Sequence, residues 1–403
     1  MVPVLTAFID GLKPESLIYM PFLNSFMTKR RLRPELGYSI VCYASMYTGV
    51  HPDKHLRWFI WKYSPRTSPF RWINRIGIDR SARTLYGKYV LHKMTQAFNN
   101  FNTAYFGIPF LVHTPIRLWH YFDVDEKKFW NEPGFIESYP TVFEILMSTK
   151  IPYEVVGMGK REVKQSSQII AQHSFDQIRA WTYLFVGDVD ALSHTHGQNS
   201  PITIEQLKRI DHTLEKVYDL FKKKLKEFYF ICFSDHGHVK VKGRVNLSSL
   251  FRQHGKSIGN YIHFIDANYA RFWFRDEEER KEVSVVLSNL DKGFILTERH
   301  LQKYNVTMPD NRYGDLIFYL DAGYIFDKGR VFAMGREWSS SSKTVSMHGY
   351  LPDCPDSHGI FISNAKIKQI DHVKLVDILP SILALLGVKS PHYVDGRVLW
   401  EED

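Results

Sequence analysis

The chain has 403 residues, of which 44% are hydrophobic and 24% are charged. This balance is typical of a globular protein, and the length suits one large α/β domain with insertions or two to three domains. The formal net charge of +9 favours anionic partners such as phosphorylated compounds, acidic lipid surfaces or nucleic acid. Three cysteines are too few for a disulfide framework, which indicates a reducing compartment.

The sequence does not indicate a membrane-spanning protein. The sequence has no run of 18 apolar residues, and its opening stretch VPVLTAFID is too short and too strand-like for a secretory signal. A cytoplasmic enzyme is therefore expected, and the basic charge adds the expectation of peripheral contact with an acidic membrane.

Apolar runs of strand length alternate with amphipathic runs of helix length. In chain order the predicted elements are a strand at 2–9, helices at 14–27 and 141–149, strands at 152–158 and 181–188, a helix at 203–227, strands at 228–235 and 358–364, and a helix at 374–387. This alternation predicts an α/β fold with a mostly parallel central sheet and helices on both faces.

Two stretches interrupt the alternation and divide the chain. We expect an α/β core made of 1–50, 139–239 and 346–403, a cap insertion at 51–138 and a small α+β insertion at 240–345. The cap is aromatic and basic, with Trp58, Trp61 and Trp72 among arginines and a lysine. Such a stretch can form a small aromatic core with solvated basic edges, contact a membrane surface, or stack a nucleobase.

Acidic and imidazole side chains follow the ends of several apolar runs. They are Asp10, Asp190 with His194, Asp235 with His236, and His348. The carboxyl ends of parallel strands meet at one edge of a sheet, so these side chains are expected to converge. Three carboxylates and three imidazoles suit two divalent metal ions.

Each of these residues also has an ordinary structural explanation. An aspartate at a strand end is commonly a turn residue or a helix cap, and a lone histidine is commonly a loop residue. The four-residue spacing between Asp190 and His194 places both on one helix face, which favours Asp190 over Asp188 as a ligand. The conjunction of all these segments in one order makes a coincidence improbable.

The order of the segments FIDGL, YASMYTGVHPDKH, VDALSHTHG, SDHG and MHGY resembles the alkaline-phosphatase superfamily. The resemblance is closest to its type I phosphodiesterase/nucleotide pyrophosphatase branch. The segments VDILPSILALLGV and VDGRVL look like the closing helix and tail of the same fold, and the resemblance covers roughly 1–55, 140–240 and 345–400.

The resemblance implies two metal ions and a nucleophile. One metal ion would be bound by Asp190, His194 and His348, and the other by Asp10, Asp235 and His236. The family's nucleophile, which also contacts metal, is a serine or threonine nine positions before the threonine of a Thr-Gly pair; counting back from Thr48 gives Ser39. Zinc is the expected metal, with manganese and magnesium as alternatives. His238 matches no metal position of the family.

Ser39 is also a suitable nucleophile on physical grounds, because it is predicted at a helix start, where backbone N–H groups favour a phosphate. Ser45 and Thr48 are expected to pack within the helix. Cys42 stands where the branch has an asparagine that donates to the phosphoryl oxygen, and a thiol is a weaker donor. Tyr38, Lys54 or a residue of the insertions is expected to compensate, and Tyr38, Cys42 and Lys54 are candidate substrate contacts.

The resemblance therefore implies a hydrolase or phosphoryl transferase that acts on a phosphodiester or pyrophosphate through a phospho-serine intermediate. The substrate is expected to be a phosphorylated small molecule or a lipid-linked compound, and no specific nucleic-acid binding is expected. A phosphomonoesterase using the same site is one alternative. A non-catalytic phospholipid- or glycan-binding protein with the same fold is another, although a binding protein has no need of six metal ligands.

Overall fold

The computed structural model describes residues 1–75, 90–91, 94–95, 114–158, 166–327, 331–333, 336–338 and 344–401. The chain forms two compact units. The first unit consists of Met1–His55, Phe129–Lys240 and Val345–Asp403, and the second of Leu56–Lys128 and Val241–Thr344. The second unit thus combines most of both predicted insertions. Residues 76–89 and 96–113 of the predicted cap lie outside the described residues.

The first unit is built on a seven-stranded sheet with four parallel and two antiparallel pairings. From edge to edge its strands are Val373–Lys374, Thr28–Arg33, Gly359–Ser363, Tyr229–Phe233, Val4–Ile9, Trp181–Val186 and Tyr153–Val156. A short antiparallel pair, Val239–Lys240 with Ser346–Met347, lies outside this sheet. The predicted α/β class with a mostly parallel sheet is confirmed.

Helices surround the sheet of the first unit. They are Pro21–Asn24, Ser39–Thr48, Pro52–His55, Val142–Ser148, Ser166–Gln172, Asp188–His196, Pro201–Lys224 and Ile378–Leu385, with 3-10 turns at Pro14–Tyr19, Pro355–Ser357 and Leu375–Asp377. Successive side chains of a strand point to opposite faces of a sheet. On one face Leu5 and Ile9 pack in a cluster with Leu207 of the long helix. On the other, the Phe8 ring lies 5.8 Å from that of Tyr43 in the helix Ser39–Thr48.

The predicted helix over 14–27 is wrong in extent, because the structure has a 3-10 turn and then only Pro21–Asn24. A proline has no N–H and disfavours helical geometry in the residue before it, and Met20 has φ −128° and ψ 72°. The strand Thr28–Arg33 was not predicted. It has four basic residues and only one buried side chain, Leu32, so its sequence lacks the apolar alternation of a strand.

The second unit contains a four-stranded antiparallel sheet in the order Ile262–Ile265, Tyr269–Trp273, Leu316–Leu320 and Gly293–Ile295. The helix Glu277–Ser288 packs on it through Val283 and Leu287. Its other described elements are the helices Arg71–Arg75, Ile116–Trp119, Leu247–Gln253 and Glu298–Lys303, the 3-10 turn Ile258–Asn260, and the strands Trp61–Tyr63, Phe122–Val124, Gly243–Val245, Tyr324–Phe326, Val331–Ala333 and Arg336–Trp338.

Of Trp58, Trp61 and Trp72 in the predicted cap, the first two lie in the buried core of the second unit. Trp58 and Trp61 are buried, and Trp72 is half-buried. The buried guanidinium of Arg271 lies 4.3 Å from the Phe59 ring centroid and donates to the Trp61 carbonyl at 2.8 Å. At Trp58 and Trp61 the aromatic-core explanation therefore applies, and neither ring is available to a membrane surface. Across the described ranges, no helix has the length and apolarity needed to cross a membrane.

Candidate active site

Neighbouring parallel strands bring two carboxylates to the same edge of the sheet. Asp10 directly follows the central strand, and its backbone N–H donates to the Val186 carbonyl of the adjacent strand at 2.9 Å. Asp235 follows the strand on the other side, and its Oδ1 accepts from the backbone N–H of Gly11 at 3.4 Å. Both side chains are buried.

The first group of candidate ligands consists of Asp10, Asp235 and His236, whose ligand atoms lie within 4.8 Å of one another. His236 Nε2 is 3.5 Å from Asp10 Oδ1 and 3.3 Å from Asp235 Oδ2. The same nitrogen is 2.9 Å from the hydroxyl of Ser39, which is 197 residues away in the chain. The structure therefore brings the predicted nucleophile to the predicted ligand group.

The other ring nitrogen of His236 determines what Nε2 can do. His236 Nδ1 is 3.1 Å from the Gly237 carbonyl, which can only accept, so Nδ1 carries the hydrogen. In the neutral ring, Nε2 then has a lone pair directed at Ser39 and the two carboxylates. This is the tautomer that metal-binding histidines adopt when a carbonyl holds the other nitrogen.

The second group consists of Asp190, His194 and His348, again within 4.8 Å of one another. Asp190 and His194 lie on the helix Asp188–His196, and His348 follows the strand Ser346–Met347. Nε2 of His194 is 3.3 Å from Asp190 Oδ1, and Nε2 of His348 is 3.6 Å from the same oxygen. His194 Nδ1 donates to the Ser346 carbonyl at 3.0 Å, so this histidine also directs an Nε2 lone pair at the carboxylate.

These distances fit a metal ion in each group. With metal–ligand bonds of about 2.0–2.2 Å, tetrahedral ligands lie roughly 3.3–3.6 Å apart. Three atoms of the groups, Asp10 Oδ1, Asp235 Oδ2 and His348 Nδ1, are buried and have no hydrogen-bond partner among the described residues. Buried polar atoms are costly without partners, and a cation would satisfy the two carboxylate oxygens.

The electrostatics of the cluster also call for a cation. Burial, with the nearby charges of Asp235 and Asp190, raises the pKa of Asp10 well above its ordinary value. Burial and the charge of Asp190 raise the pKa of Asp235 to about 8. Burial also opposes ionisation of Asp190, but His194 and its neighbours outweigh it and hold that pKa well below its ordinary value. Without a cation, burial and the neighbouring negative charges therefore favour the protonated forms of Asp10 and Asp235.

Ser39 is the first residue of the ten-residue helix Ser39–Thr48, and its side chain is half-buried. In this first turn the Val41 N–H donates to the Tyr38 carbonyl at 3.0 Å, whereas helix geometry gives the N–H groups of Ser39 and Ile40 no acceptor within the helix, and the helix dipole is positive there. A phosphoryl group at Ser39 would meet both features.

The other hydroxyl and thiol groups of this helix have different surroundings. Thr48 donates to the Ala44 carbonyl at 2.6 Å, and Ser45 contacts His55 Nε2 at 3.0 Å, so both pack inside the unit. Cys42 is buried, and burial together with the charge of Asp235 raises its thiol pKa well above the ordinary value. A thiol that stays neutral is a poor nucleophile.

Of the other candidates from the sequence, only Tyr38 is seen beside a predicted metal ligand, whereas Lys54 and Asp188 have other partners. Tyr38 precedes the helix, and its ring lies 5.7 Å from that of His348. Lys54 forms an ion pair with Asp395, which accounts for its charge without a substrate. Asp188 accepts from the Ser167 N–H at 2.8 Å and is in neither ligand group.

Two residues at the cluster were given no role from the sequence. Tyr43 donates its hydroxyl to Asp10 Oδ2 at 2.6 Å and is buried. His238, which matched no family position, lies with Nε2 2.9 Å from Asp190 Oδ1 and forms a third group with Asp190 and His236. The position of His238, two residues after the predicted ligand His236, could have indicated a place at the cluster. Tyr43 gives no such indication, because a tyrosine in an apolar helix is explained by packing alone.

A parallel sheet that carries buried carboxylates and histidines beside a serine at a helix start defines a class of phosphoester hydrolases. The sequence model of the family described as type I phosphodiesterase / nucleotide pyrophosphatase matches residues 89–351. The chain belongs to this family, and it is a hydrolase. The matched range contains Asp190, Asp235 and His348, whereas Asp10 and Ser39 precede it and join the site in the fold.

Solved structures share the fold at low sequence identity. Human ectonucleotide pyrophosphatase/phosphodiesterase 5 is 14% identical with a TM-score of 0.65, and the match covers 98% of this chain and 97% of that chain. The murine protein is 12% identical, with a TM-score of 0.65 and 98% of each chain covered. An inactive variant of the murine protein in complex with AMP is 13% identical, with a TM-score of 0.66 and 98% of each chain covered. No curated protein sequence gives a significant match.

Proposed function

We propose that this protein hydrolyses a phosphodiester or pyrophosphate bond of a nucleotide-type small molecule, with Ser39 as nucleophile at a binuclear metal site. The observation that carries this proposal is the 2.9 Å contact between Ser39 Oγ and His236 Nε2. It places the hydroxyl against a nitrogen that also faces the carboxylates of Asp10 and Asp235.

The two groups that would hold the metal ions are Asp10, Asp235 and His236, and Asp190, His194 and His348. Imidazole with carboxylate ligands in a site of this spacing favours zinc, with manganese as the alternative. When bound, divalent ions would favour the ionised form of the nucleophile and stabilise charge on the phosphoryl and leaving oxygens.

Ser39 would attack phosphorus so that an Oγ–P bond forms as the bond from phosphorus to the leaving oxygen breaks. Ser39 is partly open to solvent, which would accept the hydroxyl proton when His236 Nε2 serves as a metal ligand and is no longer a hydrogen-bond acceptor. The product of this step is a phosphate ester on Ser39 that carries the remaining substituent. Attack of water on phosphorus then releases the phosphorylated product and restores the serine hydroxyl.

The substrate class rests on the family and on one relative. The family name covers phosphodiesters and nucleotide pyrophosphates, and an inactive form of the murine relative is in complex with AMP. In this chain the helix start at Ser39 supplies backbone N–H groups to the phosphoryl oxygens, which offsets the weak donor Cys42. The burial of Trp58 and Trp61 gives a lipid-linked substrate no support from these two side chains.

The test compares two chromogenic esters. Purified protein is loaded with zinc or with manganese and assayed on bis-p-nitrophenyl phosphate and on p-nitrophenyl phosphate. Faster turnover of the diester supports the proposal, whereas preference for the monoester would replace it with phosphomonoesterase activity at the same site. No turnover of either ester by metal-loaded protein would favour a non-catalytic binding role.

A further inference from the structure

His238 lies against the second ligand group but has no role in the sites described so far. Its side chain is fully buried, and its Nε2 is 2.9 Å from Asp190 Oδ1. Its Nδ1 is 3.2 Å from the hydroxyl oxygen of Ser346. The hydrogen-bond inventory of these atoms restricts the form that the ring can take.

The Ser346 hydroxyl has one hydrogen to donate. Its oxygen is 2.6 Å from the Ser193 carbonyl, which can only accept, so the serine hydrogen lies in that contact. The contact between Ser346 and His238 then has to be donated by the ring, which places a hydrogen on His238 Nδ1. A neutral ring with this tautomer has a lone pair on Nε2.

That lone pair faces an oxygen that also has no hydrogen. Two lone pairs 2.9 Å apart repel each other unless a positive charge lies within reach of both. Nε2 of His194 lies 3.3 Å from the same Asp190 oxygen, and its Nδ1 likewise donates to an acceptor oxygen. His238 therefore repeats the arrangement of a predicted metal ligand.

The backbone also keeps space open around His238 Nε2. Gly11 has a φ of +72°, and a Cβ at that position would lie 2.9 Å from this nitrogen. Any larger residue following Asp10 would therefore press on His238 and on the Asp190 backbone, which lies 3.3 Å from the same point. The glycine leaves the nitrogen accessible from the side of Asp10.

We propose that His238 is a further metal ligand of this chain, which binds through Nε2 the cation held by Asp190. The inference rests on the proposed binuclear site and adds an imidazole to it. His236 and His238 form one group with Asp190, and His194 and His348 form another, so the cation would have more nitrogen ligands than the family resemblance implies.

The alternative is that His238 only orients Asp190 by donating a hydrogen bond. His238→Gln separates the two roles, because a glutamine amide can donate to Asp190 but is a weak ligand. The matched control is His263→Gln, which replaces another buried histidine, one that belongs to the second unit.

The measurements are zinc affinity by chelator competition and the visible spectrum of the cobalt-substituted protein. For His238→Gln we expect affinity at one site to fall about 10-fold or more, with a changed cobalt spectrum, and for His263→Gln neither change. Unchanged affinity and spectrum in folded His238→Gln would overturn the inference. Wild-type protein that binds no zinc or cobalt would instead overturn the underlying metal site.

A second measurement uses the wild-type chain and so does not depend on a variant folding. A crystal structure of zinc-loaded protein, with the metal located by anomalous scattering, should show His238 Nε2 about 2.0–2.1 Å from a zinc ion. Zinc bound to Asp190 with His238 Nε2 hydrogen-bonded only to that carboxylate would refute the proposal and leave His238 as a positioning residue.

Discussion

Replacing Tyr43 by phenylalanine should weaken metal binding at the group Asp10, Asp235 and His236. The tyrosine hydroxyl donates to Asp10 Oδ2 at 2.6 Å, and both side chains are buried, so water cannot replace the bond. A buried hydrogen bond to a charged group contributes about 1.5–3 kcal/mol. At about 1.4 kcal/mol for each factor of ten, this is a loss of roughly 10- to 150-fold in affinity.

An independent estimate agrees, since loss of a partner that orients a metal ligand typically costs about 10- to 100-fold in affinity or activity. The same hydrogen bond favours the ionised form of Asp10, so its loss makes a proton a stronger competitor of the metal ion. The affinity deficit of Tyr43→Phe should therefore shrink as the pH rises and Asp10 ionises in both proteins.

The assay is chelator competition with zinc, run at several pH values on Tyr43→Phe and on Tyr47→Phe. Tyr47 is one helical turn further along and pairs with the Tyr183 hydroxyl, so its loss removes a buried hydroxyl without affecting Asp10. We expect full zinc affinity for Tyr47→Phe. Equal affinities for both variants and the wild type, across the pH range, would refute the role of Tyr43 and weaken the assignment of Asp10 as a ligand.

Four further outcomes are expected. Asp235→Asn should lose metal content and turnover together, because an amide in place of a buried carboxylate removes both charge and ligand strength; elemental analysis and a rate assay check this, and full metal content would contradict it. Metal-induced stabilisation, measured as the rise in Tm at fixed free zinc, should grow between about pH 6 and pH 8, because the metal ion displaces a proton from Asp235, whose pKa burial raises to about 8. In metal-free protein the same raised pKa predicts the opposite trend: the folded state holds a proton that the unfolded state has lost, so this group's contribution to stability falls as pH rises toward 8, and a flat Tm would argue against it. Cys42→Ala should keep turnover within a few-fold of wild type, since its buried thiol stays neutral; complete loss of turnover in a folded, metal-loaded sample would make the thiol essential.

The parts of the site that lie near strand ends could be predicted from the sequence. Asp10 and Asp235 each follow an apolar run, and parallel neighbouring strands bring such positions together. The helix start at Ser39 was also predicted, and the choice of Ser39 as nucleophile came from the family resemblance, which places that residue nine positions before Thr48. That the resulting groups bind metal stays a prediction.

The parts that depend on distant packing could not be predicted. The bond from Tyr43 to Asp10 joins a helix interior to a strand end, and a tyrosine in an apolar helix gives no sign of such a partner. The second unit was missed as a unit because its two segments meet only in the fold: the Tyr63 N–H donates to the Arg312 carbonyl at 2.7 Å. Local propensity contains no information on a pairing between such separated positions.

The predicted helix over 14–27 was too long for a reason that is visible in the sequence. Pro21 removes a helical donor and biases Met20 toward extended geometry, so the apolar run forms two short turns rather than one helix. The next strand, Thr28–Arg33, depends on antiparallel pairing with Gly359–Ser363 and shows no periodic pattern of its own.

The covalent state of Ser39 during turnover shows whether Ser39 is the nucleophile. Metal-loaded wild-type protein and Ser39→Ala are mixed with bis-p-nitrophenyl phosphate, quenched in acid and analysed by peptide mass spectrometry, with zinc content measured on the same samples. We expect a phosphate ester on the Ser39 peptide of the wild type, and no turnover in Ser39→Ala at nearly unchanged zinc content. Full turnover by zinc-loaded Ser39→Ala would contradict it.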